Sequence, residues 1–172
     1  MVQLRHKSLA RGELLSLARA LRPLVGKRLL IVNDQVDVAL ISGADGVHLG
    51  RDDLSIESAR RISGPELLIG ASAGNLEAAR EAIRAGADYI GCGAAFATPI
   101  KREKSVIGPG GVAAVSTGLG PGLPVFAIGG IDESNLGRLI AVGIRRACVI
   151  RAVAEASDPE VAARRLRAML DA

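Results

Sequence analysis

The stretch GADGVHLG at residues 43–50, together with its near repeat GADYIGCG at residues 86–93, decides the fold. Each copy opens with a glycine, the residue that most readily ends a helix in the left-handed conformation. A short apolar run follows at once, and such runs are typical of strands that are buried on both faces. A third copy of the device, Gly143-Ile144-Arg145, precedes the apolar run at residues 147–150. The repeats therefore predict helix-to-strand units that follow one another along the chain.

Outward from these copies, short apolar runs alternate with amphipathic stretches over the whole chain. The predicted strands are residues 2–5, 29–33, 46–49, 67–71, 89–93, 124–128 and 147–150. The predicted helices are residues 13–25, 55–62, 76–85, 133–141 and 159–170. Such alternation is typical of right-handed βαβ units around a parallel sheet. We therefore predict an α/β fold of the TIM (β/α)8-barrel type, formed as one domain by residues 1–172.

Seven predicted units are one short of the eight in this barrel type, and the chain opens inside the first apolar run. The expectation is therefore a barrel that lacks its first strand and helix. An open sheet would leave two edge strands unpaired, which is unfavourable. Two partners are compatible with such an edge, a closing N-terminal segment and a second copy of the chain in a homo-oligomer.

Composition excludes several classes of protein. No apolar run reaches the roughly 18–20 residues that span a bilayer, and residues 1–7 lack the apolar core of a signal peptide. We expect a cytoplasmic protein with no membrane partner. Aromatic residues make up 2% of the chain, too few for the stacking surfaces of single-strand binders, so we expect no nucleic-acid partner despite the net charge of +4. Cys92 and Cys148 lie in apolar runs without a CxxC neighbour and are expected as free thiols.

Polar residues and glycines recur where the predicted strands end. Enzymes of this barrel type carry their active sites there, on the loops that lead from strand to helix. The residues at these positions are Gln3, Arg5, Lys7, Asn33, Asp34, His48, Asp53, Ser72, Thr98, Lys101, Gly129, Gly130, Ile150 and Arg151. We take this set as the candidate site.

Two groups within this set point to charge chemistry. Asp34 and Asp53 follow neighbouring strands, and Mg²⁺ is usually held by one or two carboxylates plus phosphate oxygens. Arg5, Lys7 and Lys101 could surround a diphosphate and stabilise the charge on a departing phosphate group. The glycines after the sixth strand and the loop after the seventh match the phosphate cradle common in this fold.

Each of these residues also has a structural interpretation. Asp34 and Asp53 could be helix N-caps, a common role for Asp in strand-to-helix turns. Lys7 and Lys101 could be ordinary surface residues, and Gly129-Gly130 could form only a tight turn. His48 could pack in the core.

The chain resembles the thiamine-phosphate synthase family in six segments that occur in the same order and spacing. They are residues 2–7, residues 31–34, residues 46–50 with Asp53, residues 69–72, residues 91–93 with Phe96, Thr98 and Lys101, and residues 127–131. The resemblance implies a transferase that condenses an aminopyrimidine-methyl diphosphate with a hydroxyethylthiazole phosphate to give thiamine phosphate and pyrophosphate. Its partners would be small phosphorylated substrates, and its cofactor would be Mg²⁺.

The resemblance also implies a role for each candidate residue. Asp34 and Asp53 would hold Mg²⁺. The diphosphate would contact Arg5, Lys7, Asn33, Ser72 and Lys101, of which Arg5, Lys7 and Lys101 are the catalytic candidates. Gln3 would contact the pyrimidine. The thiazole phosphate would be held by Thr98, Gly130, Ile150 and Arg151.

Two departures from the family pattern affect the thiazole phosphate. Ile100 stands where a hydroxyl residue is expected, and Arg151 replaces a Ser. They leave open a non-catalytic barrel that binds a phosphate ligand. A further alternative is a thiazole tautomerase, the sister branch of the family. That branch depends on a His shortly after the fourth strand, and residues 72–75 contain none.

Overall fold

The computed structural model describes residues 1–98 and 105–172 of the chain. Its strands are β1 (Val2–Leu4), β2 (Leu30–Asn33), β3 (Gly46–Leu49), β4 (Leu68–Ala73), β5 (Tyr89–Cys92), β6 (Val125–Ile128) and β7 (Ala147–Cys148). Its helices are α1 (Arg11–Val25), α2 (Val36–Ser42), α3 (Ile56–Ser63), α4 (Leu76–Arg84), α5 (Gly108–Leu119), α6 (Leu136–Ile140), α7 (Arg151–Ala154) and α8 (Pro159–Asp171). Among these residues, no helix has both the length and the apolar character needed to cross a membrane.

The strands are ordered in the sheet as they are in the chain, from β1 to β7. The recorded pairings, such as β1 with β2 and β6 with β7, are parallel. The predicted α/β fold, with seven βα units of the TIM-barrel type, is confirmed. The chain divides into two compact units. The first contains Met1–Ser72 and Ala82–Asp88, and the second contains Ala73–Glu81 and Tyr89–Ala172.

Three helices were absent from the sequence prediction: α2, α5 and α7. Helix α2 reads VDVALIS and is apolar on most sides, so it has no polar stripe to reveal a helical period. Helix α5 starts with Pro near its first position and contains small residues that give little amphipathic contrast. Of the helix predicted at residues 133–141, only Leu136–Ile140 is helical, as α6.

In the first unit, the two faces of the sheet differ in chemistry. Alternate strand residues pack with helices α1 and α2 in one apolar core; they include Leu4, Val32, Val47, Leu49 and Ile69, with Leu14, Ala18, Val36 and Ala39 from the helices. Side chains alternate between faces along a strand. The opposite face therefore carries Gln3, Asn33, His48 and Ser72. Strand pairing thus gathers the polar strand-end side chains of this unit on the face away from that core.

Asp45, in the entry stretch at residues 43–50, ties strands β2 and β3 to helix α1. Its carboxylate accepts a hydrogen bond from the backbone N–H of Leu30 at 2.6 Å and another from the guanidinium of Arg22. Burial alone would raise the pKa of Asp45, but the Leu30 N–H and the Arg22 charge hold it below its usual value. The preceding Gly43 ends α2 in the left-handed conformation, as expected for the glycine that opens this stretch.

The second copy of the stretch repeats this arrangement within the same unit. The carboxylate of Asp88 accepts from the backbone N–H of Ile69 at 2.7 Å and from the guanidinium of Arg60 at 2.6 Å. Arg60 also donates to the carbonyl oxygen of Gly86 at 2.8 Å. The aspartate of each copy therefore connects a strand to an arginine of the helix that directly precedes that strand.

The two cysteines are free thiols, as predicted. Cys92 lies fully buried at the end of β5, and burial raises its pKa to about 11. Cys148 in β7 is half-buried, and burial also raises its pKa. Both thiols are therefore protonated at neutral pH, which makes them poor nucleophiles and poor metal ligands.

Candidate functional site

Asp34 and Asp53 bring two carboxyl groups together in the first unit. Asp34 directly follows β2 with a φ of 65°, a left-handed conformation that Asp and Asn tolerate better than most residues. Its backbone N–H donates to the carbonyl oxygen of His48 at 2.9 Å. Burial raises the pKa of Asp34, and the hydrogen bond and negative charge of Asp53 raise it further. The chain thus places two carboxyl groups of like charge side by side.

A short loop after β3 holds Asp53. Its Oδ2 atom accepts a hydrogen bond from the backbone N–H of Gly50 at 2.7 Å. A Cβ atom at Gly50 would lie 2.9 Å from the same oxygen, closer than real Cβ contacts come. Glycine at this position is therefore what lets the carboxylate approach the loop backbone. Gly50 was not among the predicted site residues, although its position directly after a strand was a usable signal.

The N-cap interpretation of the two aspartates is wrong. Helix α2 has Gln35 as its N-cap, and helix α3 has Ser55, whose side chain accepts from the backbone N–H of Ser58. Neither carboxylate is therefore occupied in capping the helix that follows it. Both remain available for a cation.

Positive charge flanks the carboxyl pair. The Lys7 Nζ atom lies 4.0 Å from Asp34 Oδ2, and the Lys7 side chain is 62% exposed. The charges of Lys7 and Arg5 both lower the pKa of Asp34, against the effects of burial and of Asp53. An exposed lysine at this distance forms only a weak ion pair and can turn towards an anionic ligand at small cost. Arg5 and Lys7, two of the cations predicted for the diphosphate end, therefore lie near the Asp34 carboxylate.

His48 and Ser72 form a second polar pair on the same face of the sheet. The His48 Nε2 atom lies 3.0 Å from the Ser72 Oγ atom. The His48 side chain is buried, and its residue pairs in register with Asn33 of β2. His48 was singled out from the sequence, but its contact with Ser72 was not foreseen, because it depends on the pairing of β3 with β4.

In the described chain, no group of three or more His, Cys, Asp or Glu side chains is arranged to hold a metal ion. Asp34 and Asp53 supply two carboxylates only. A hard cation that keeps part of its coordination for water or phosphate oxygens needs no more than this. The donor set therefore fits Mg²⁺ and does not fit a closed structural zinc site.

In the second unit, glycines let the loop after β5 approach the loop after β6. A Cβ atom at Gly93 would lie 2.0 Å from the carbonyl oxygen of Ile128, and one at Gly130 would lie 2.3 Å from that of Ala97. Gly130 also has a φ of 63°. Backbone hydrogen bonds join the same loops, including Phe96 N–H to the Gly129 oxygen at 3.0 Å. The close approach thus excludes any side chain at Gly130.

Side chains of the second unit hold this pair of loops. Asn135 donates from Nδ2 to the carbonyl oxygen of Gly130 at 2.8 Å. The guanidinium of Arg138 lies over the Phe96 ring, 5.3 Å from its centroid. Neither Asn135 nor Arg138 was predicted; their helical positions after the glycine pair carried no distinctive pattern.

The remaining predicted residues are distributed as follows. Thr98 is half-buried at the end of the described loop. Ile150 is the N-cap of α7 rather than the last residue of a strand, and Arg151 begins that helix with its side chain exposed. Ile100 and Lys101 lie outside the described residues.

The sequence matches a family model described as thiamine monophosphate synthase over residues 1–153. A thiamine-phosphate synthase from Chlorobium luteolum is 43% identical, over 99% of this chain and 81% of its own length. One from Gloeobacter violaceus is 45% identical over 92% of this chain, which spans about half (47%) of that relative.

Two solved structures are also similar to this chain. A thiamine phosphate pyrophosphorylase from Pyrococcus furiosus is 39% identical and has a TM-score of 0.90, with coverage of 98% of this chain and 81% of that one. A 3-hexulose-6-phosphate synthase has a TM-score of 0.71 at 19% identity and shows a likeness of fold only.

Proposed function

The chain belongs to the thiamine monophosphate synthase family, and we propose that the Asp34–Asp53 pair is the Mg²⁺ site of its reaction. The chain is a thiamine-phosphate synthase-like transferase. It joins an aminopyrimidine-methyl diphosphate to a hydroxyethylthiazole phosphate and releases pyrophosphate. The thiazole tautomerase and the non-catalytic phosphate binder are not favoured, since the curated relatives above carry the name of the synthase.

The contact between the two carboxyl groups is the observation that carries the metal assignment. Adjacent carboxylates repel each other unless a proton or a cation lies between them. The raised pKa of Asp34 reflects this situation, with burial as the larger cause and Asp53 as the next. When bound there, Mg²⁺ would neutralise charge on the diphosphate and make it a better leaving group.

The residues of the first unit then have distinct tasks. Arg5 and Lys7 bind the diphosphate oxygens and stabilise the negative charge that grows as the bond to the pyrimidine methylene breaks. Asn33 and Ser72 donate hydrogen bonds to the same group, and Gln3 contacts the pyrimidine. The electron pair of the broken C–O bond leaves with pyrophosphate, and the lone pair of the thiazole nitrogen forms the new C–N bond.

The second unit binds the thiazole phosphate in this proposal. Thr98, Gly130, Ile150 and Arg151 are the proposed contacts, with Lys101 assigned to the diphosphate. The positive φ of Gly130 and its closeness to Ala97 support a tight backbone turn, which suits the approach of a phosphate to main-chain N–H groups. Arg151 can bind a phosphate through two N–H groups, where a serine hydroxyl would make one bond.

The test is product formation by the purified chain with both substrates, with and without Mg²⁺. We expect thiamine phosphate only when the metal is present. The Asp34→Ala variant should lose this activity, whereas Asp37→Ala, which removes an exposed carboxylate paired with Arg11, should keep it. Full activity of Asp34→Ala, or equal activity without Mg²⁺, would refute the metal assignment.

A further inference from the structure

His48 and Ser72 lie on neighbouring parallel strands and are joined by one hydrogen bond. Nε2 of the ring is 3.0 Å from the serine Oγ, and His48 is 8% exposed. His48 pairs in register with Gly70, which has no side chain. Ser72 follows two residues later and so projects from the same face of the sheet. The imidazole therefore has room to reach across the Gly70 position to the hydroxyl.

The direction of this hydrogen bond decides what Ser72 can offer a ligand. A serine hydroxyl has one proton to donate and lone pairs with which to accept. The oxygens of a diphosphate only accept. If Nε2 accepted the serine proton, the hydroxyl would present lone pairs alone to an anion and would repel it. If Nε2–H donates instead, the serine proton remains available for the diphosphate.

We propose that His48 is a positioning residue that donates its Nε2–H to Ser72 and thereby directs the serine hydroxyl proton towards the diphosphate. The inference rests on the proposed function, because it takes Ser72 as a diphosphate ligand. His48 acts through Ser72 and does not touch the reacting atoms. Its burial matters, since water competes poorly for a buried hydrogen bond.

The backbone of His48 has a separate connection to the site. Its carbonyl oxygen accepts from the backbone N–H of Asp34 at 2.9 Å. A change of side chain at this position leaves that bond possible. Variants of the His48 side chain therefore test the role of the ring while the backbone hydrogen bond to Asp34 is kept.

A double-mutant cycle tests whether His48 acts through Ser72. We expect His48→Leu and Ser72→Ala each to lower kcat/KM for the diphosphate substrate by about tenfold, the typical effect of one hydrogen bond to a charged group. The double variant should lose no more than about twofold beyond either single variant. The KM for the thiazole phosphate should stay within about twofold. Losses that multiply in the double variant would overturn the inference.

His48→Gln supplies the conservative control. Its side-chain amide can donate from nearly the position of Nε2, so it should recover most of the activity that His48→Leu loses. Equal losses in the Gln and Leu variants would contradict a donor role. Binding of inorganic pyrophosphate with Mg²⁺, measured by calorimetry, should show the same pattern as kcat/KM.

A direct measurement on the unaltered protein covers the case in which a variant does not fold. Imidazole ¹⁵N chemical shifts report which ring nitrogen carries the proton, and we expect Nε2 of His48 to be protonated. An unprotonated Nε2 would overturn the inference. The chain could make no thiamine phosphate and still bind pyrophosphate, with non-additive losses of that binding in the His48→Leu and Ser72→Ala variants. This result would refute the proposed function alone. A chain that neither makes thiamine phosphate nor binds pyrophosphate would refute both the proposed function and the role of His48.

Discussion

Asp34 and Asp53 follow different strands, yet the Asp53 carboxyl group lies close enough to Asp34 to raise its pKa through a side-chain hydrogen bond and through its negative charge. Two ionised carboxylates at such a distance repel each other, and a bound cation would relieve that repulsion.

Replacement of Asp34 by Asn should raise the stability of the protein and lower its activity. Asn tolerates the left-handed backbone at this position, so strain is not introduced. Without Mg²⁺, removal of the repulsion should raise the free energy of unfolding by up to about 1 kcal/mol. With Mg²⁺ and both substrates, activity should fall at least about tenfold, because a ligand is lost. Urea titrations and steady-state rates measure the two effects, with Asp37→Asn as the matched control.

Replacement of Gly50 by Ala should weaken the metal site without unfolding the protein. The new Cβ would lie 2.9 Å from Oδ2 of Asp53, and a mobile carboxylate moves more easily than backbone. We expect the Mg²⁺ concentration for half-maximal activity to rise about tenfold, while the free energy of unfolding changes by less than about 0.5 kcal/mol. An unchanged Mg²⁺ requirement would contradict the role of Asp53.

Replacement of Gly130 by Ala should damage the turn after β6. A Cβ atom there would meet the backbone oxygen of Ala97 at 2.3 Å, and φ is 63°. A cost of about 1–3 kcal/mol is expected, with a raised KM for the thiazole phosphate. Gly137→Ala is the control, since nothing lies within 4 Å of its Cβ position. It lies in α6 and should be neutral or slightly stabilising. Equal stability of the two variants would contradict the packing argument.

Replacement of Asp45 by Asn should cost stability in a way that depends on pH. The pKa of Asp45 is lowered in the folded protein, where burial is outweighed by the Leu30 N–H and by Arg22. Its contribution is therefore present above the unfolded pKa of about 3.9 and is lost as the pH falls through the lower folded value. The variant should be about 1 kcal/mol less stable at pH 7, since the side chain is partly exposed.

Urea unfolding at pH 7 and near pH 3 measures this difference. The difference in the free energy of unfolding between Asp45→Asn and the unaltered protein should become smaller at the lower pH. An equal difference at the two pH values would show that the carboxylate charge has no part in binding Leu30 and Arg22.

The strands were predictable to within two residues because each is a short apolar run bounded by turn residues. Strand β3 matches its prediction, and β7 ends two residues earlier than expected, at Cys148. Helices α2 and α5 were not predicted, because a helix that is apolar on most sides, or rich in small residues, shows no amphipathic period. Local composition therefore determined where strands lie better than where helices lie.

The sequence alone determined the fold class, the family and the residues at the carboxyl ends of the strands, because these depend on local pattern and on spacing along the chain. Which of those residues touch depends on the packing of segments that are distant in the sequence. The Asp34–Asp53 contact and the His48–Ser72 hydrogen bond each join different segments. Strand register and loop path set these distances, and both result from packing of the whole unit rather than from any one stretch of residues.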